Sequence, residues 1–132
     1  MKFKVLMRQL FLLDEPLTWD QPIPDQIKSK WIDVITETLE FGDLSFFRST
    51  RPCDASPDIG PTIVGFSYHG QFAYEARVYI RWQLSHSSSS FASRLAICKA
   101  KVPPLRGLTV PRGELTALTL LSRLVLTVVS AL

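Results

Sequence analysis

Ala76, Val78, Ile80 and Trp82 alternate with Arg77, Tyr79, Arg81 and Gln83. A period of two sends successive side chains to opposite faces of an extended chain, so this run is a strand with one face buried and one wet. The pattern predicts a strand over 72–84. Thr62 to Tyr68 predicts another before it, with Ile63, Val64 and Phe66 apolar. Ser93 to Val102 predicts a third, with Leu95, Ile97 and Ala100 turned inward. His86 to Ser90 reads as a serine-rich turn between the last two. Three consecutive strands on short turns make an antiparallel meander. Pro103 and Pro104, which cannot donate to a strand ladder, stop it.

On either side of this region the period lengthens toward that of a helix. Lys4 to Leu13 predicts a short amphipathic helix, with Val5, Leu6, Leu10 and Leu13 on one face. Asp14 to Pro24 is a proline-punctuated connector with Trp19 as its expected anchor. Ile27, Trp31, Val34, Ile35 and Leu39 then share one helix face, with Pro24 near its start and Gly42 at its end. Residues 41–61 are rich in Pro, Ser and Gly and read as a long loop. Pro111 to Leu132 predicts a last helix, with Glu114 in the first turn, where the helix dipole favours an acid. Apolar residues cover most of its circumference. Because the sequence ends at Leu132, its outer face is expected to stay uncovered unless the N-terminal helices fill in. The class is α+β: two N-terminal helices, a long loop, a three-stranded antiparallel meander and a C-terminal apolar helix.

Composition excludes several alternatives. Apolar residues are 46% and charged residues 20%, too apolar and too weakly charged for a disordered chain. Fifteen Lys and Arg against 12 Asp and Glu leave a net charge of +3, without a basic run. Two cysteines (Cys53, Cys98) and two histidines (His69, His86) supply neither a disulfide scaffold nor a structural zinc site. The basic, apolar start to Leu13 is followed by Asp14, Glu15 and Pro16 and not by a small-residue cleavage site, so the expectation is an intracellular protein of unspecified compartment. Leu115 to Leu132 carries a single charge, Arg123, in mid-segment, where a charge costs about 2.5–3.5 kcal/mol in a membrane. Thr116, Thr119, Ser122, Thr127 and Ser130 add further polarity, and a buried helix is favoured over a membrane span.

The order of short motifs resembles the Pol polyprotein of Bel/Pao-type LTR retrotransposons. Leu17-Thr18-Trp19-Asp20-Gln21-Pro22-Ile23-Pro24 looks like the L-x-W-D-x-P-[LI]-P pattern after the reverse transcriptase, ahead of a helix with a central Trp, here Trp31. Phe47-Arg48-Ser49 and Arg51-Pro52 resemble the basic connector that follows. Val64-Gly65-Phe66-Ser67 and Val78-Tyr79-Ile80-Arg81-Trp82 resemble the first two strands of the family's ribonuclease H-like domain. Lys99 to Leu105 resembles K-[SA]-[KR]-V-A-P-L, with Pro103 at the Ala position, and Thr109 to Leu115 resembles T-[IV]-P-R-L-E-L at a helix start, with Gly113 at the Leu position. The resemblance implies a helical connection segment over 1–46, a linker over 47–61 and the first half of a ribonuclease H-like domain over 62–132.

Ribonuclease H-like domains cleave the RNA strand of an RNA–DNA hybrid with two Mg²⁺ held by converging carboxylates. The family's first carboxylate is the Asp of G-F-x-D-[AG]-S. Here that position is Tyr68, a neutral phenol and a poor Mg²⁺ ligand. Glu114 matches the Glu of the helix motif and is expected to be a vestigial ligand position, acting now as a first-turn acid. The remaining acids are expected beyond Leu132, on a fourth strand. The resemblance thus implies a truncated, degenerate and inactive copy, with no metal bound, Mg²⁺ being expected only in complete family members.

Cys53-Asp54-Ala55-Ser56 spells the catalytic tetrapeptide, but in a loop after Arg51-Pro52, and reads as a turn. A Tyr68–His69 pair has no nucleophile beside it. Arg77, Arg81, Lys99, Lys101 and Arg112 are the candidates for a nucleic-acid surface, with Arg77 and Arg81 on one strand face. Trp19, Trp31 and Trp82 are expected as packing anchors. The alternative function is a non-catalytic binding module. It would take RNA–DNA hybrid weakly through the arginines, or a partner strand or second copy at the open sheet edge.

Overall fold

The computed structural model describes residues 2–15, 17–43, 45, 49–85 and 87–132. The expected turn residue His86 and the Phe47-Arg48 connector motif lie outside these. The elements are helix α1 (Lys2–Leu10), helix α2 (Asp25–Leu39), strands β1 (Thr62–His69), β2 (Tyr74–Leu84) and β3 (Ser87–Lys101), and helix α3 (Val110–Val129). The strands form one antiparallel sheet in the order β1-β2-β3. The α+β class and the meander are as the sequence predicts.

The buried face of β2 is Ala76, Val78, Ile80 and Trp82, the apolar half of its alternation. Helix α3 lies over this face, across β1 and β2, and brings Leu120, Leu124 and Val128 into the same cluster. Two glycines allow the close approach. A side chain at Gly65 on β1 would collide with Leu121 of α3. One at Gly113 on α3 would collide with the imidazole of His69 on β1. Each element therefore presents a gap that the other's large side chain fills. The opposite side of α3 is exposed, with Leu115, Leu118, Leu126 and Val129 all facing solvent. Among the described residues no helix is long and apolar enough to cross a membrane.

Several sequence expectations are corrected. Strand β3 begins at Ser87, inside the predicted turn. Ser87 and Ser89 point to the same side of the strand and their hydroxyl oxygens lie 3.0 Å apart, so the serines are tolerated at a strand end. The pairing shifts by one residue between Val78↔Ile97 and Tyr79↔Leu95, leaving Ala96 as a bulge. The bulge turns Leu95 outward, with 51% of its surface exposed. Ala100 pairs with Glu75 and shares its outer face. Helix α1 ends at Leu10 and not at Leu13, because the amides of Phe11 and Leu12 bond three residues back, to Arg8 and Gln9. Past Leu39, α2 gives way to a 3-10 turn at Glu40–Asp43 that runs through Gly42.

The N-terminal helices do not fill in over the outer face of α3. Helices α1 and α2 pack on each other through Leu6, Ile27 and a Phe3–Trp31 ring contact of 5.4 Å, with a Lys2–Glu37 ion pair at the rim. Arg8 donates to the carbonyls of Pro104 and Leu105, tying α1 to the segment after β3. Trp31 and Trp82 are anchors as expected, but Trp19 is fully exposed. Its backbone sits at the tip of a Thr18–Gln21 turn, where Thr18 N–H donates to the Gln21 side chain and Gln21 N–H to the Thr18 carbonyl.

Candidate functional site

The C-terminal end of β1 meets the first turn of α3. A cleft of about 530 Å³ opens there, lined by Ser67, Tyr68, His69, Pro111, Glu114, Leu115, Ala117 and Leu118. Tyr68 is on the strand's last turn of pleat and 67% exposed. Glu114 follows Gly113, whose amide closes the first helical turn onto the Thr109 carbonyl at 2.9 Å. The two positions singled out in the sequence, with 45 residues between them and on different elements, thus share one cleft.

His69 and Gly113 explain how this cleft is built. In the motifs the chain resembles, the first position is Ala or Gly and the second Leu. Here a large side chain has moved from helix to strand, and a small residue from strand to helix. In this chain the imidazole of His69 fills the gap that Gly113 leaves between β1 and α3. In the sequence His69 stands out only as half of a Tyr–His pair. The signal that could have found its partner was the departure of Gly113 from the same pattern.

One carboxylate lines the cleft. Two Mg²⁺ need several hard oxygen ligands converging on them, and Ser67, Tyr68, His69 and Glu114 do not supply that set. Among the described residues no group of three or more His, Cys, Asp or Glu side chains is placed to hold a metal ion. The tetrapeptide Cys53–Ser56 is stitched to the opposite end of the sheet. Ala55 bridges Leu84, Ser56 N–H donates to the Gln83 carbonyl at 2.8 Å, and Ser85 N–H donates to the Asp54 carbonyl at 2.9 Å. Tyr68 instead pairs with Glu75. The two ends are about 30 Å apart along β2, at about 3.3 Å per residue.

The five basic candidates do not gather on one surface. Arg77 and Arg81 lie on the outer sheet face, with Phe66 and Thr62 as their partners on β1. Lys99 and Lys101 pair with Ala76 and Tyr74 and so lie on the side of the sheet that α3 covers over β1 and β2. Arg112 is exposed in the first turn of α3. On the outer face Arg77 meets Glu75 at 2.6 Å. The carboxylate, and then a hydrogen bond with Tyr79, raise the guanidinium pKa, so Arg77 keeps its charge at any ordinary pH.

A three-stranded antiparallel meander with a helix laid across its first two strands, and a cleft where that helix begins, is a partial ribonuclease H-like architecture. The family model of the Pao retrotransposon-like RNaseH-like domain matches residues 1–132, the whole chain, and the chain belongs to that family. No curated protein and no solved structure matches it.

Proposed function

We propose that this retrotransposon ribonuclease H-like domain is catalytically inactive, a remnant of a Pol polyprotein that has kept its packing and lost its metal chemistry. The observation that carries the reading is Tyr68. It stands at the strand end where the family resemblance puts the first metal-binding Asp, in the same cleft as Glu114. A phenol is a poor substitute for a carboxylate as a ligand of Mg²⁺, which takes hard, charged oxygens. One carboxylate alone would leave the positive charge of two Mg²⁺ largely unbalanced. The exchange at His69 and Gly113 supports a domain that still closes its core around the altered site.

The test is a cleavage assay on a labelled RNA–DNA hybrid with Mg²⁺ or Mn²⁺. The expected result is no cleavage above a protein-free control with either ion. Metal-dependent cleavage that disappears in Glu114→Gln would overturn the reading, because it would show Glu114 still working as a ligand.

A further inference from the structure

We infer that the outer sheet face, away from α3, is a binding surface for single-stranded nucleic acid. The strand register puts Val64, Phe66 and Tyr68 of β1, Glu75, Arg77, Tyr79 and Arg81 of β2, and Phe91 and Leu95 of β3 on this one face. Phe66 is 59% exposed, and it meets Tyr79 edge-on at 6.0 Å between ring centroids. The Arg81 guanidinium lies 3.8 Å from the centroid of the Phe91 ring. Among the described residues Arg81 has no acidic partner, and Arg77 is paired only to Glu75.

The arrangement selects its ligand by chemistry. The central strand carries arginines here, and flat aromatic rings flank them on both neighbouring strands. An apolar protein helix laid on this face would bury Arg81 with no acid of the face to pair it, at a large desolvation cost. A second copy is also a poor fit. Three strands at about 4.8 Å spacing and about 36 Å of β2 give a face of about 500 Å², below the roughly 800 Å² per partner of a stable interface. A single nucleic-acid strand meets both features at once. Its bases stack on Phe66, Tyr68 and the Arg81–Phe91 pair, and its phosphates meet the guanidinium groups. A duplex cannot use the rings, since its bases are already stacked. The surface shares Tyr68 with the cleft but uses neither Glu114 nor a metal, so it does not rest on the loss of catalysis.

The experiment is a fluorescence-anisotropy titration of the full chain with an oligothymidylate of about 12 nucleotides, long enough to exceed one such site. Phe66→Ala and Phe91→Ala should each weaken binding about tenfold. Arg81→Ala should weaken it and flatten its salt dependence. With two phosphate contacts, moving from about 50 to about 200 mM salt should cost the parent chain about sevenfold in affinity. Lys99→Ala and Arg112→Ala, off this face, should change little. All these positions are exposed, and circular dichroism checks that each variant stays folded; for any that does not, Arg81→Glu is the replacement. Three results would overturn the proposal: no binding at low salt, binding lost in Arg112→Ala but kept in Phe66→Ala, or an RNA–DNA hybrid competing as well as the single strand. Sedimentation showing a dimer that Phe66→Ala dissolves would also overturn it, by assigning the face to a second copy.

Discussion

Gly113→Leu should destabilise the domain by up to about 2 kcal/mol, although the same change on an open helix would stabilise it. Helix propensity alone favours Leu over Gly by about 0.8–1 kcal/mol. At this position the new side chain enters the space of the His69 imidazole, and a Cβ alone already collides with it. Overpacking a filled gap costs about 1–3 kcal/mol, and here the imidazole must be displaced to make room, because Gly113 is buried against the strand. The partner change reverses the sign. In a His69→Ala background the gap is open, and Gly113→Leu should then be neutral or stabilising. Urea unfolding of the parent, both single variants and the double variant gives the coupling directly. A coupling of about 1–3 kcal/mol is expected. Additive single effects would mean that His69 and Gly113 do not share a gap, and the account of how β1 and α3 fit together would fail.

That pair also shows where sequence reading stops. The alternation from Ala76 to Gln83 makes β2 legible, because a period of two has one physical meaning when its apolar set is unbroken. Helix α3 was legible for the converse reason, a long apolar segment opened by a proline. Tyr68 and Glu114 could be placed at one site only through the family resemblance, since nothing local to either residue says that a strand end and a helix start will meet. The outward turn of Leu95 was not legible. Ala96 is an ordinary residue in an alternating run, and a bulge has no side-chain signature there. Serine content hid the start of β3, because a strand end on a wet rim has no need of apolar residues. Trp19 misled in the opposite direction. Size and hydrophobicity suggested burial, but a turn backbone fixes where the ring goes before packing can compete. The outer sheet face emerged only from the register, which brings residues from three strands together that no linear spacing connects.

Trp82→Ala should cost about 3–5 kcal/mol, the range for removing a large aromatic from a core. Trp82 is buried at the Leu84 end of the sheet, in one cluster with Ala55, Leu124 and Val128. It thereby joins the 50–56 loop, the central strand and the far end of α3. The Arg51 guanidinium sits 5.3 Å from its ring centroid and adds a contact worth about 0.5–1 kcal/mol at an exposed site. Domains of this size are stable by about 5–15 kcal/mol, so the truncation should remove a large share of the total. Trp82→Phe should behave quite differently. The indole Nε1 is buried without a hydrogen-bond partner among the described residues, and an orphaned buried donor costs about 1–3 kcal/mol. Phenylalanine gives up some packing but also removes that donor, so the two terms oppose each other and the net loss should stay below about 1.5 kcal/mol. Urea midpoints followed by circular dichroism measure both variants. A loss below about 1 kcal/mol for Trp82→Ala would mean that the ring is not part of the core. Equal losses for the two variants would mean that the indole N–H is satisfied after all, and that its bond, and not the ring's bulk, holds this end of the sheet.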